Sequence, residues 1–474
     1  MDAFAIELMR RSPLATAVLN VFDYVFDDQL LDGIWEEHRG RCYEDRLGFT
    51  DFLWLMREAL IRHDGSAHKL FQELESKDAQ PVNESNFYRK LARTPVELSR
   101  GVLRDCTHRL GELMPHAATT LPACFDKYWV IIADGKTIKN ATKRLKPTRG
   151  YIGKLLGAKA LAAMDARSGM VVAMSDSTDG MSNEVPLVPA LMPQLQELAG
   201  ERAMLSVWDR QFDDVRTMKR LSERQGDAFL VRMKHKNMVF TAESSIKTQD
   251  GQGRAVLDEI GTLGTGQKAM RVRRITLLRD ATQGEDEVVL LTNLLERDRF
   301  GAADLLELYR RRWGIENVFQ QITETFSLSH LIGCQPKAVL LQFAFCLLLY
   351  NVMQLIKVYV ADDGQVPAST VSMHYLFDDV RLELKAWAYH TDGDWPRSGW
   401  DAATLRRHLR QLLKGSWDPI RYTKASDRRP RARPKEKKKW LSGGHTSVER
   451  ALKGQAKVVK RKKVVTRDRV MPIG

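Results

Sequence analysis

Two short apolar, β-branched runs each end in an aspartate, and they restrict the fold more than any other feature of the chain. The first is Tyr128-Trp-Val-Ile-Ile-Ala-Asp134 and the second Ala203-Met-Leu-Ser-Val-Trp-Asp209. Runs of this length, bounded by Gly and polar clusters, read as buried strands, so each delivers a carboxylate at its C-terminal end. Asp134 is followed by Gly135, a pair that ordinarily forms a turn. Between the two runs, Ala158–Asp165 and Met170–Ser175 read as two further strands, and a helix is expected from a cap near Asn183 to Leu198. After Asp209, an amphipathic segment (213–224) and a last strand (228–233) complete the series. Three strands, a helix, a strand, a helix and a strand is the order of a ribonuclease-H-like sheet of the α/β class. In that arrangement the first and fourth strands are neighbours, so Asp134 and Asp209 are expected side by side.

A third carboxylate comes from the stretch ELYRRRWGIENVFQQITE, residues 307–324. Read as one helix at 100° per residue, Tyr309, Arg312 and Glu316 share a face. Leu308, Ile315, Val318, Phe319 and Ile322 make an adjoining apolar stripe that holds the helix against a core. An aromatic hydroxyl, a guanidinium and a carboxylate in one row suit a phosphodiester beside divalent ions.

The flanks are different in character. Residues 1–120 read as helical, with 3.6-residue periodicity over 16–26, 50–61 and 70–74. Within them, Asn83-Glu-Ser-Asn-Phe-Tyr-Arg-Lys-Leu-Ala-Arg opens with capping residues and carries Arg89, Lys90 and Arg93, a basic-aromatic helix of the kind that docks on DNA. The run 338–356 is long enough to raise the question of a membrane span. It includes Gln342, Asn351 and Gln354, and reads instead as a buried core helix. Two further helical pieces are expected at 369–389 and 402–414. The 474-residue chain has a formal net charge of +14, but residues 421–474 alone hold 19 Lys and Arg against 4 Asp and Glu, which leaves 55 basic and 56 acidic residues before them. The excess charge thus belongs to a tail, which by composition is expected to be disordered and to attract phosphate backbones. Five scattered cysteines (Cys42, Cys106, Cys124, Cys334 and Cys346) argue for a reducing compartment and against a zinc site.

The segments ADGKTIK, VWDRQFDD and LYRRRWGIENVFQQ together resemble the three blocks of the DDE transposases of the insertion-sequence-4 family. The resemblance implies a ribonuclease-H-like mixed sheet interrupted by a mainly β insertion, with helical regions at both ends. In residue terms this is a DNA-binding region at 1–120, core at 121–235 and 301–360, the insertion at 236–300, a helical region at 361–425 and a basic tail at 426–474. It implies cut-and-paste transposition, with Asp134, Asp209 and Glu316 holding two Mg²⁺ ions (Mn²⁺ as substitute) roughly 4 Å apart. Hard oxygen ligands without a His/Cys cluster suit those ions. Arg312, Tyr309, Arg210, Lys136 and Lys139 would contact phosphates of double-stranded DNA, both transposon ends and target. A homodimer in the synaptic complex, no membrane, and a prokaryotic, cytoplasmic, nucleoid-associated setting also follow from the resemblance. The chain departs from the family where a lysine usually stands seven residues after the glutamate. Here that residue is Thr323, with Gln320 between, so a hydrogen-bonding role is retained and the charge is not. The 107-residue step from Asp209 to Glu316 fits the insertion, whose strands are expected at 267–279 and 287–294. The insertion contains no tryptophan. A metal-dependent nuclease without strand transfer and a domesticated, catalytically weak DNA-binding protein are the alternatives.

Overall fold

A computed structural model of the protein describes residues 3–42, 46–139, 141–234, 238–266, 269–279, 287–390, 399–424 and 444–456. Its centre is a sheet of ten strands among the described residues: β1 Trp129–Lys139, β2 Lys154–Asp165, β3 Val171–Ser177, β4 Met204–Trp208, β5 Ala228–Arg232, β6 Phe240–Gln249, β7 Ala255–Leu263, β8 Met270–Leu277, β9 Val288–Thr292 and β10 His445–Ser447. The first five lie in the order β3-β2-β1-β4-β5. β1 pairs antiparallel with β2 and parallel with β4. This is the ribonuclease-H-like arrangement, and the fold is mixed α/β with helical regions at both ends.

Side chains alternate across this sheet, as the strand repeat requires. Val130 and Ile132 of β1, with Leu205 and Val207 of β4, enter the larger core shared with the N-terminal helices and the helix Pro336–Asp363. Trp129, Ile131 and Ala133, with Trp208, enter a second core beneath the helices Val188–Ala199 and Val215–Leu221. Both faces are covered, which explains why the strands read as apolar runs instead of alternating ones.

The insertion does not form a separate sheet. β9 pairs antiparallel with β5, and β8, β7 and β6 continue outward from it. Arg273 of β8 is fully buried; its guanidinium bonds Asp258 of β7 at 2.9 and 2.6 Å and the Phe300 carbonyl at 2.7 Å. Phe300 lies immediately before the helix Ala302–Arg310, so this one side chain ties the insertion to the returning core. Removing it leaves the buried Asp258 carboxylate with only a long 3.4 Å contact from Arg297. Arg273→Ala is expected to cost about 3–5 kcal/mol of stability, read from urea denaturation; a change below about 1 kcal/mol would mean that the pair is not structural.

The helix Pro336–Asp363 is long and apolar enough to cross a membrane, and its most apolar window is wholly buried inside this protein. Two buried polar residues in it are bonded. Asn351 accepts from the Val171 N–H and donates to the Val171 carbonyl and to Thr107 Oγ1, each at 2.8 Å, and Gln342 accepts from the Ile332 N–H at 2.7 Å.

Four local expectations are corrected. Residues 307–324 are not one helix: Ala302–Arg310 and Trp313–Glu324 are separated at Arg311 and Arg312, where Arg312, Gly314 and Ile315 N–H groups bond the carbonyls three residues back. The Asp134-Gly135 pair is not a turn, because β1 runs on to Lys139 against β2. The insertion has two strands, β6 and β7, that the pattern does not reveal; β6 is exposed along nearly its whole length. Finally, Gly444–Ala456 within the basic tail is folded: β10 adds to β2 in parallel, and Arg450 binds Asp179 at 2.8 Å. The rest of the tail, 425–443 and 457–474, lies outside the described residues.

Candidate active site

The last β1–β4 pair is Ala133↔Trp208. Asp134 and Asp209 each follow that pair by one residue, so they stand together at the point where β4 leaves the sheet. Alternation puts Asp134 on the face shared by Val130 and Ile132, the face on which the helix Trp313–Glu324 packs through Ile315, Val318, Phe319 and Ile322. That packing brings the third block over the aspartates. Arg312 Nη1 donates to Asp134 Oδ2 at 3.2 Å and lies 2.8 Å from Glu316 Oε1. The Tyr309 hydroxyl donates to Asp209 Oδ1 at 3.4 Å. Despite the break in the helix, Tyr309 and Arg312 still face the same site. The three-residue bonding between them gives about 120° per residue, which eclipses positions three apart.

Arg312 is 4% exposed and Tyr309 is buried. A guanidinium thus stands among three carboxylates, and its Nε has no hydrogen-bond partner. Burial, together with the charges of Asp209 and Glu184, pushes the Asp134 carboxyl up to about 6 from 3.8, against the opposing pull of Arg312 and the Gly135 N–H. Burial also holds the Tyr309 phenol near 12. At neutral pH the site therefore presents anions, and a neutral hydroxyl, to whatever enters.

The donor set fits a hard divalent cation: three carboxylates converge from two strand ends and one helix, with no sulfur or imidazole among them. Their oxygens are not all within contact of one another. The one such trio among the described residues is Glu37, His38 and Asp105, elsewhere, where ligand atoms lie within 4.8 Å; Arg104 already offsets two of those acids. At the strand ends it is Arg312 that holds Asp134 and Glu316, so a divalent ion entering there competes with the guanidinium. Protonation opposes that entry as well. Mn²⁺ affinity, measured by calorimetry, is expected to fall as the pH is lowered through about 6, where Asp134 takes up its proton, and to level off above about 7. The sign for the metal-free fold is the reverse. A carboxyl raised above its unfolded value contributes stability that is complete below about 4 and lost as the pH rises through about 6.

The other basic residues divide into two groups. Arg210, next to Asp209, and Lys139, at the far end of β1, are exposed. Lys136 shares the strand face of Asp134 and lies 5.5 Å from the Phe319 ring; burial, with Lys139 nearby, holds its ammonium below the ordinary range. Thr323 turns its hydroxyl onto the Phe319 carbonyl at 2.7 Å, and Gln320 donates to Glu324 at 3.0 Å, so both amino acids bond within their own helix. In the N-terminal region, Arg89 and Arg93 are exposed on the helix Glu84–Arg93. Lys90 is not available on the same terms. It donates to the Leu47 carbonyl and lies over the rings of Trp35 and Phe52. Two residues near the site escaped the sequence reading. Trp313, 58% exposed, stands next to Arg312. Glu184 approaches from the opposite face of β1; it directly follows Asn183, the expected helix cap, and nothing in its local pattern marks it as part of a site.

Comparison with known proteins gives a family-model match over part of the chain and distant structural likenesses. Residues 126–352 match the family model described as Transposase DDE domain, a segment that contains Asp134, Asp209 and Glu316. A solved structure similar to this chain is the cryo-EM structure of a piggyBac transposase synaptic complex with hairpin DNA. The TM-score is 0.41 and the identity 11%, over 84% of this chain and 85% of that one. No curated protein matches.

Proposed function

We propose, from the Transposase DDE domain at residues 126–352 and the carboxylate geometry within it, that the chain is a transposase acting on double-stranded DNA. It cleaves at transposon ends and joins the freed 3′-hydroxyls to target DNA by phosphoryl transfer, in the manner of the insertion-sequence-4 family. The observation that carries the reading is the meeting of Asp134 and Asp209 at the end of the β1–β4 pairing with Glu316, through Arg312.

Asp134, Asp209 and Glu316 would hold Mg²⁺ or Mn²⁺, which when bound supplies an activated attacking oxygen and neutralises charge on the leaving one. The chain's own groups do the positioning. Arg312, released from its carboxylates, presents a planar fork to a phosphate. Tyr309 keeps its proton at working pH and donates a hydrogen bond from a buried, fixed ring. Arg210, Lys136 and Lys139 line the approach with positive charge, and Arg89 and Arg93 extend it over the N-terminal helices. Two subunits, each acting on the end held by its partner, complete the proposal.

An assay of strand transfer with pre-cut ends in Mg²⁺ tests it and separates it from a plain nuclease. Joined products are expected; cleavage of uncut ends with no joining of pre-cut ones would leave only the nuclease. The absence of both reactions, with DNA binding retained, is the result that the weak-catalyst reading requires. Thr323, whose hydroxyl is spent on its own helix, is the feature on that side.

A further inference from the structure

Beyond Ala133↔Trp208 the sheet opens. β4 stops, while β1 continues to Lys139 with a partner only on the β2 side. Asp134 and Asp209 sit at the mouth of this opening, where backbone pairing no longer sets the distance between them. Glu184 fills it from the second face of the sheet. Its carboxylate accepts from Lys159 Nζ of β2 at 3.0 Å and from Gln211 Nε2, two residues past Asp209. Its side chain is 13% exposed. It also rests directly on Gly135: a Cβ there would meet Glu184 Cδ at 1.9 Å. The glycine beside Asp134 is therefore required by the approach of Glu184, since no turn exists at that position.

We propose that Glu184 is a positioning residue that braces β2, Gly135 and the segment after β4, and so sets the Asp134–Asp209 separation for a divalent cation. The inference rests on the reading of those two aspartates as metal ligands. An ion bound between two strand ends needs both carboxylates held at a fixed spacing, and groups that orient metal ligands typically change affinity about 10–100-fold when removed. Glutamine at position 184 can keep Lys159 on its carbonyl oxygen but then turns its own N–H₂ toward the Gln211 Nε2 donor, so it releases the segment after β4 without emptying the space. Alanine at 135 expels the Glu184 side chain and reaches the same end by another route.

The test is calorimetric titration of Mn²⁺ into the full chain without DNA, with the metal-free melting temperature recorded beside it. E184Q is expected to weaken Mn²⁺ binding about tenfold. Gly135→Ala should match it, and the double variant should be no worse than either. Lys159→Met separates bracing from bare ion pairing. It removes the same salt bridge but leaves Glu184 on Gln211, and should keep most of the affinity. If E184Q and K159M lower the melting temperature alike and neither changes Mn²⁺ affinity, Glu184 is a structural ion pair and the proposal is overturned. Should E184Q fail to fold, Gln211→Met is read in its place: a loss of about threefold supports the brace, and unchanged affinity overturns it. The underlying reading has its own control. Asp134→Asn with wild-type Mn²⁺ affinity would remove Asp134 as a ligand whatever Glu184 does.

Discussion

Asp209→Ala is expected to lower both end cleavage and strand transfer by about a thousandfold or more, while end binding in a gel shift stays as in the wild type. The size follows from the role: a bound ion contributes several kcal/mol of charge stabilisation in the transition state, and about 4 kcal/mol is a factor of a thousand in rate. On the proposed reading DNA binding would be spared, because it would depend on cations elsewhere, among them Arg89 and Arg93, exposed on the helix Glu84–Arg93. Removing an anion from the site does nothing to weaken an anionic ligand. The variant is also structurally mild, since Asp209 follows β4 and accepts only a 3.4 Å bond from Tyr309. Retained Mg²⁺-dependent cleavage would remove Asp209 from the mechanism and the DDE assignment with it.

Arg312→Ala makes the second large change, and its two readouts should move in opposite directions. Cleavage is expected to fall about 10²–10³-fold, the usual loss for a preorganised donor facing charge that develops in the transition state. Lysine should not restore it, because a point charge cannot reproduce the planar fork that a guanidinium presents to a phosphate. Mn²⁺ binding without DNA should nevertheless become tighter by a factor of a few, since the guanidinium no longer competes for the two carboxylates. The fold should tolerate the change at low pH better than at high pH: without Arg312, the buried Asp134 escapes an uncompensated charge by keeping its proton. Weaker metal binding in Arg312→Ala would show instead that the arginine organises the ligands, and the competition argument would fail.

The parts of this site that the sequence displays are those with a strong local period. The strands ending at Asp134 and Asp209 are short β-branched runs, and the strand order then forces their adjacency. The apolar stripe of Ile315, Val318, Phe319 and Ile322 likewise announces which way the third block faces. What is hidden depends on tertiary contacts. Two adjacent arginines are good helix formers, so nothing local marks the break at Arg311 and Arg312; Arg311 reaches the Thr120 carbonyl at 2.6 Å, far away in the chain. β6 is polar on both faces because it lies at the sheet's edge, and it carries no alternation to detect. Lys90 reads as a free cation until the fold places the Leu47 carbonyl beside it. Glu184 shows the limit most clearly. Its importance lies in the gap beside Gly135, which exists only once β4 has ended and β1 has not.

The most direct test is anomalous diffraction from crystals of the full chain grown with Mn²⁺. A manganese peak bonded to carboxylate oxygens of both Asp134 and Asp209, with Arg312 moved off Asp134, is the expected result. Manganese found only at Glu37, His38 and Asp105, or absent from the strand ends at saturating concentration, would contradict the account.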